Sequence, residues 1–211
     1  MVAHEYAHGY AAMRQGDPTA HDLGRLTWNP AKHIDPYMTV LLPLMLWFSS
    51  GGRFIFGGAK PVPVDPRNYR HYRRGDIIVS LAGIATNLVL AAICTLLVVP
   101  LGMLGRGDTV ATPSFAILQE MMLAGVVFNL MLAFFNLLPI PPLDGSHVAK
   151  HLLPPALAVR YVQLGRFGFL ILLAFLWIGQ RWLAVWMSPA TRLNDFAGSL
   201  IAPFLLPTVA L

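Results

Sequence analysis

From Ile77 to Leu104 the chain carries no Asp, Glu, Lys or Arg. An α-helix rises 1.5 Å per residue, so about 20 apolar residues cross the ~30 Å hydrocarbon core of a bilayer. This run exceeds that length. A soluble fold would have to wrap it in polar sequence, and little is left to do so. Of 211 residues, 56% are hydrophobic and 12% charged, roughly half the charge of an average soluble domain. The same apolar content argues against a disordered chain. Phe115 to Leu138 is a second spanning run, with Glu120 its only charge near one end. Leu164 to Met187 is a third. Trp177, Trp182 and Trp186 lie toward its C-terminal end, as an interfacial aromatic belt would place them.

Two further stretches are apolar but interrupted. Met38 to Gly58 is broken by Ser49-Ser50-Gly51-Gly52 and Arg53, and reads as a re-entrant or hairpin element, tolerated at membrane depth only where protein or a polar cavity covers it. Phe196 to Leu211 is short and contains Pro203 and Pro207, which suits an interfacial or partly inserted tail. Arg53 to Val64 alternates in part and ends in Pro61-Val62-Pro63-Val64. It reads as an edge strand, where proline is tolerated, or equally as a membrane-surface loop. Met1 to Gly16 reads as a helix stopped by Gly16-Asp17-Pro18. It is too short to span, so the beginning of the first helix is expected to be missing. The fold expected is an α-helical polytopic membrane protein, a bundle of about four to six membrane segments with a small membrane-associated β-hairpin or edge strand. Without repeats, 1–211 is expected to be a single domain.

Net charge is +5, from 15 Lys and Arg against 10 Asp and Glu. Lys60, Arg67, Arg70, Arg73 and Arg74 crowd the loop 59–76, whereas Arg106 is the only basic residue of 105–114. Membrane proteins keep basic residues in cytoplasmic loops. That rule puts 59–76 inside, 105–114 outside, and 139–163, with Lys150 and Arg160, inside again. Arg181 and Arg192 weaken it slightly. The location expected is the cell membrane, multi-pass. An anchor on anionic lipid accounts for the arginine cluster, and no nucleic-acid partner is expected. The single cysteine, Cys94, sits inside an apolar run and reads as a packing residue.

His4-Glu5-Tyr6-Ala7-His8 is an H-E-x-x-H sequence. Residues four apart share a helix face, so His4 and His8 can present two imidazoles to one metal, and Glu5 beside them can activate water as general base. A surface helix with two histidines is the alternative. Placement in an apolar helix favours the metal, because ionisable clusters there are costly. A tetrahedral catalytic zinc needs a third protein ligand and an open position. The best candidate in the remaining chain is Asp144, in Asn136-Leu137-Leu138-Pro139-Ile140-Pro141-Pro142-Leu143-Asp144-Gly145. The prolines cannot continue a helix, so an extended segment is expected to project Asp144, with Gly145 permitting close backbone approach. A surface loop with an Asp-Gly turn is the alternative. The positive-inside assignment puts His4, His8 and Asp144 at similar depth in the cytoplasmic leaflet.

These two separated motifs resemble the site-2 protease family of intramembrane zinc metalloproteases, in its compact bacterial form without a PDZ domain. Further matches are Leu26-Thr27-Trp28-Asn29-Pro30-Ala31-Lys32-His33-Ile34-Asp35-Pro36, Ala59-Lys60-Pro61-Val62-Pro63-Val64 and Ser80-Leu81-Ala82-Gly83-Ile84-Ala85-Thr86-Asn87. The resemblance implies that His4, His8 and Asp144 bind one zinc ion, and that Glu5 activates water for attack on a peptide bond of a transmembrane protein substrate. It also implies that Asn136 and Asn87 position the substrate or polarise the scissile carbonyl. Relatives carry proline where this chain has Ile84, which bears on local helix geometry. His33 and Asp35 read either as outer partners or gates of the site, or as an interfacial histidine and a cap before Pro36. His147 is the one other histidine near Asp144. A zinc-binding scaffold or transporter without catalysis is the competing class; retention of Glu5 and the bare helices 77–104 and 164–187 argue against it.

Overall fold

In the computed structural model, the structure describes residues 1–53, 55–107 and 111–207. Phe54, part of the loop expected outside the membrane (108–110) and the end of the expected tail (208–211) lie outside the described residues. Contacts divide the chain into two compact units, Met1–Gly83 and Ile84–Leu211.

The first unit is built around α1 (Val2–Gln15). Gly16 ends it at φ 112°, a left-handed conformation that glycine adopts without cost. After the single turn α2 (Thr19–Asp22), Asn29 caps the turn Pro30–His33 by accepting from the Ala31 N–H at 3.0 Å. Asp35 accepts from the N–H groups of Tyr37 and Met38, both at 2.9 Å. It is therefore the cap before Pro36. A wide turn, Pro36–Leu41, leads into α3 (Leu42–Ser49). Gly51 and Gly52, at φ 64° and 80°, reverse the chain, and the Gly58 N–H returns to the Met38 carbonyl at 3.0 Å. The excursion 38–58 closes on itself, as the hairpin reading expects, but with a helix inside it.

No strand is present among the described residues, which corrects the edge strand expected over 53–64. The physical reason is where the donors go. Pro61 and Pro63 have none, and the Lys60 N–H is taken by the His33 carbonyl at 2.8 Å. The Val62 N–H goes to a Glu5 carboxylate oxygen at 2.8 Å and the Asp65 N–H to Asp17 at 2.6 Å. The segment is a strap tied to side chains and loop carbonyls rather than to a ladder.

Asp17, fully buried, also accepts from the Thr19 N–H (3.2 Å), the Thr19 hydroxyl and the Asn68 amide (2.9 Å). Burial opposes its ionisation, but these hydrogen bonds outweigh burial and hold the carboxyl below its ordinary value. At the exposed end of the strap, Arg67 chelates Asp65 and lowers its carboxyl to about 2. Burial, reinforced by Asp76, Asp17 and Asp65, pushes the Tyr69 phenol well above its ordinary value. Tyr69 packs with Ala12 and Val79 in the core of this unit.

α4 (Tyr72–Gly107) begins in the first unit and continues into the second. There Ala91, Val126, Leu130 and Ala190 form a core between α4, α5 (Thr112–Asn136) and α9 (Gln180–Ile201). Cys94 packs against this core, where a Cβ on Gly125 would lie 2.8 Å from its Sγ. The packing role expected for this cysteine is what the fold uses. Gln119, fully buried on α5, donates to the carbonyls of Val98 (2.9 Å) and Phe204 (3.0 Å) and accepts from the Leu206 N–H (3.0 Å). Residues 202–206 of the expected tail are thereby drawn onto the helices.

Among the described residues, three helical stretches are long and apolar enough to cross a membrane: Tyr72–Gly107, Thr112–Asn136 and Pro155–Ile178. Their apolar side chains face outward, with Leu96 70%, Phe128 66% and Trp177 83% exposed. Such wide apolar exposure suits a lipid surrounding rather than water. Pro36–Ser49 is apolar but shorter. The third span lies earlier than the expected 164–187. It comprises α7 (Pro155–Leu164), a turn, and α8 (Gly168–Ile178), and Gly179 separates it from the more polar α9, which carries Trp182 and Trp186.

Two outcomes follow. A Cβ on Gly102 would sit 1.9 Å from the Phe204 carbonyl oxygen, so Gly102→Ala should destabilise the second unit by about 1–3 kcal/mol, read as a lower melting temperature in detergent. Asp17 binds its proton less readily folded than unfolded. Its contribution is therefore complete above the unfolded value of about 3.9 and lost as pH falls through the lower folded value. Asp17→Asn should flatten the acid limb of stability below about pH 4, followed by circular dichroism.

Candidate metal centre

α1 has two working faces. His4 and His8 lie on one, both buried. A carbonyl oxygen can only accept, so the 2.7 Å contact between His8 Nδ1 and the Val79 oxygen puts the proton on Nδ1. The Nε2 lone pair is thereby turned toward His4, whose Nε2 lies 3.0 Å away. The rings meet edge to face, at 4.6 Å between centroids and 83° between planes. Two nitrogens bound tetrahedrally to one zinc at 2.0–2.1 Å would lie about 3.3 Å apart. The pair fits such an ion, and a backbone carbonyl orienting the second ring nitrogen is what a ligating histidine needs.

Space for the pair comes from Gly83. A Cβ there would fall 2.5 Å from His8 Nε2 and 2.7 Å from His4 Nδ1. Any side chain would occupy the ground between the imidazoles. The other face of α1 carries Glu5, also buried, whose Oε2 accepts from the Val62 N–H at 2.8 Å. Gly9, one turn on, lets the strap lie close, since a Cβ would meet Val62 Cγ1 at 2.9 Å. His4, Glu5 and His8 are thus brought together, with Glu5 immobilised through one oxygen.

The remaining candidates belong to the second unit. α5 ends at Asn136, whose amide donates to the Leu132 carbonyl at 2.9 Å. The prolines do stop the helix, but into a series of turns rather than the expected extended segment, and Asp144 is the first residue of α6 (Asp144–Lys150). Gly145 permits the close backbone approach expected of it: a Cβ would lie 2.2 Å from the Leu137 carbonyl oxygen. The Tyr161 hydroxyl donates to the Pro139 carbonyl at 2.9 Å, and Gly168 lets the Pro141 backbone approach, where a Cβ would lie 2.8 Å from its carbonyl oxygen. Asp144 therefore stands on a braced loop. Asn87 is fully buried on α4. His147 is exposed and accepts from the Lys150 ammonium at 3.5 Å. In the first unit, His33 is buried, its Nε2 donating to the Thr27 carbonyl at 2.9 Å.

Sequence reasoning missed the Val79 carbonyl, the Val62 N–H and the reason for Gly83. Backbone groups leave no trace in residue identity. Gly83 alone was detectable in principle, as a glycine in a helical run that must pack against something close.

Gly83→Ala should weaken zinc binding by on the order of tenfold, measured by chelator competition and metal analysis of the purified protein, with the helical circular dichroism signal kept.

Residues 99–176 match peptidase family M50, a stretch that contains Asn136 and Asp144. The "Putative zinc metalloprotease YwhC" of Bacillus subtilis (strain 168) is 39% identical over 170 residues, 81% of this chain and 73% of that protein. The "Putative zinc metalloprotease Rip2" of Mycolicibacterium smegmatis is 32% identical over 180 residues, 83% of this chain and 62% of that protein. Its namesake in Mycobacterium tuberculosis (strain H37Rv) is 34% identical over 159 residues, 73% of this chain and 54% of that protein. The chain thus spans less than two thirds of either Rip2 protein. No solved structure matches. Identity at this level, over most of both chains in the first case, leads to one conclusion: the chain belongs to peptidase family M50, the site-2 protease family of zinc metalloproteases.

Proposed function

We propose that this protein is a zinc-dependent intramembrane endopeptidase, hydrolysing peptide bonds in or near the transmembrane segments of membrane proteins. The whole chain acts as one catalytic domain. The observation that carries the reading is the imidazole pair. His8 is oriented by the Val79 carbonyl, the two Nε2 atoms lie 3.0 Å apart, and the Glu5 carboxylate follows on the adjoining face of the same helix. A pure binding site has no use for that carboxylate.

His4, His8 and Asp144 hold one zinc ion. The braced loop carrying Asp144, and its position inside the stretch matched to the family, support its place as third ligand. Zinc bound there supplies Lewis acidity, polarising the scissile carbonyl and making water a nucleophile near neutral pH. Glu5 takes the proton of the attacking water as the oxygen–carbon bond forms, and delivers it to the leaving amine as the carbon–nitrogen bond breaks. With Oε2 held by the Val62 N–H, Oε1 is the oxygen that carries the proton. Asn136 and Asn87 position the substrate or polarise its carbonyl. Substrate helices must unwind first, because an intact helix uses its own carbonyls in i→i−4 hydrogen bonds.

Exposed apolar faces on Tyr72–Gly107, Thr112–Asn136 and Pro155–Ile178 support a multi-pass location in the cell membrane with lipid as the surrounding partner. The basic residues from Lys60 to Arg74 support a site toward the cytoplasmic leaflet.

Cleavage of a model transmembrane substrate in proteoliposomes tests the reading. Glu5→Gln should lower turnover at least about a hundredfold with zinc retained, and Asp144→Ala should lower both turnover and bound zinc. Equal cleavage by the parent protein and Glu5→Gln would sink the mechanism and leave a zinc-binding membrane protein without catalysis.

A further inference from the structure

Asp17 lies twelve positions beyond Glu5 in the sequence, and the mechanism makes no direct use of it. Yet it is fully buried, and its carboxylate gathers the Thr19 N–H, the Thr19 hydroxyl, the Asn68 amide and the Asp65 N–H. A buried carboxylate with that many donors is held in one orientation. Two of the four donors, Asp65 and Asn68, belong to the far end of the strap. The Arg70 N–H adds a bond to the Gln15 carbonyl at 2.8 Å. The C-terminal end of α1 therefore grips the chain at 65–70.

Three residues upstream of Asp65 is Val62, the donor to Glu5. Three residues of extended chain reach at most about 10–11 Å, and Pro63 within them has its φ fixed near −65°. Fixing Asp65 thus restricts where Val62 can be. Its side chain is seated over Gly9 and its N–H meets Glu5 Oε2. On the other side of Val62, the Arg25 guanidinium donates to the carbonyls of Lys60 and Pro61, both at 3.3 Å.

We propose that Asp17 is a positioning residue for Glu5: it anchors the strap so that the Val62 N–H holds one carboxylate oxygen and aims the other at the reacting water. The inference rests on the peptidase reading for its consequence, and on the first unit alone for its geometry. It separates two roles within one short sequence. Gly16-Asp17 ends α1, and the Asp17 side chain also governs the base twelve residues earlier, in the first turn of that helix. Asn at position 17 keeps the volume and an acceptor at Oδ1 for Thr19 and Asn68, but puts an NH₂ where Oδ2 accepts from the Asp65 N–H. Thr19→Ala removes a hydroxyl bond and leaves the strap tie intact.

Two measurements on the full chain decide it. Amide hydrogen exchange reads the tie directly, because in Pro61-Val62-Pro63 the Val62 amide is the one exchangeable backbone site. Asp17→Asn should speed its exchange at least about tenfold, with Thr19→Ala within about twofold of the parent protein. In proteoliposomes Asp17→Asn should lower kcat about 10- to 100-fold, with KM and bound zinc unchanged, whereas Thr19→Ala keeps kcat. Unaltered Val62 exchange in Asp17→Asn overturns the inference. So does a loss of kcat that both variants share in proportion to their melting temperatures. Equal cleavage by the parent protein and Glu5→Gln would instead strike the peptidase reading, and the exchange result distinguishes the two failures because it does not depend on cleavage.

Discussion

A neutral imidazole has one N–H and one lone pair, and the carbonyl of Val79 decides which nitrogen of His8 keeps the proton. With Nδ1 donating, Nε2 is left as an acceptor beside the Nε2 of His4. If the proton sat on the other nitrogen, the helix would present a donor where the proposed zinc ion would bind. The carbonyl is itself part of α4, and the approach is possible because Gly83, one turn further along, brings no side chain between the rings. The imidazole pair therefore depends on a helix-to-helix distance that only a glycine permits.

The second face of α1 works on the same principle with a different partner. Glu5, Gly9 and Gly16 all receive the strap: Glu5 by a hydrogen bond from Val62, Gly9 by contact with the Val62 side chain, and Gly16 by the close approach of the Asn68 carbonyl. Two of these positions are glycines because the strap comes too close for a Cβ, with the Val62 side chain over Gly9 and the Asn68 backbone carbonyl over Gly16. Prolines at 61 and 63 remove the donors that would otherwise seek a ladder, leaving the Val62 N–H for the carboxylate. The same two prolines that suggest an edge strand are what keep the segment from becoming one.

In the second unit the buried amide of Gln119 is matched by backbone groups. Gln119 uses both ends of its amide on backbone groups of α4 and of residues 204–206, which offsets the cost of an amide in an apolar bundle. The proline loop before Asp144 is braced by Tyr161 and by the backbone clearances at Gly145 and Gly168. The ligand role proposed for Asp144 needs this kind of stiffness, since a carboxylate on a loose loop would lose affinity to conformational entropy.

The sequence by itself determined the elements whose cause is local. Hydropathy marks the apolar runs 77–104 and 115–138, which the helices Tyr72–Gly107 and Thr112–Asn136 largely contain, because lipid-facing helices need apolar residues all round. The H-E-x-x-H spacing puts His4 and His8 on one face, because 3.6 residues make a turn. Gly16 and the prolines at 139–142 end helices, because φ is open in one and closed in the others. What only the tertiary structure decided are the matters settled by backbone groups distant in sequence. These are the tautomer of His8, set by Val79; the hold on Glu5, set by Val62; and the fate of the strap, set by Asp17 and the His33 carbonyl. Every residue but proline has the same N–H and C=O, so nothing in the order of the other side chains says which of these groups will meet.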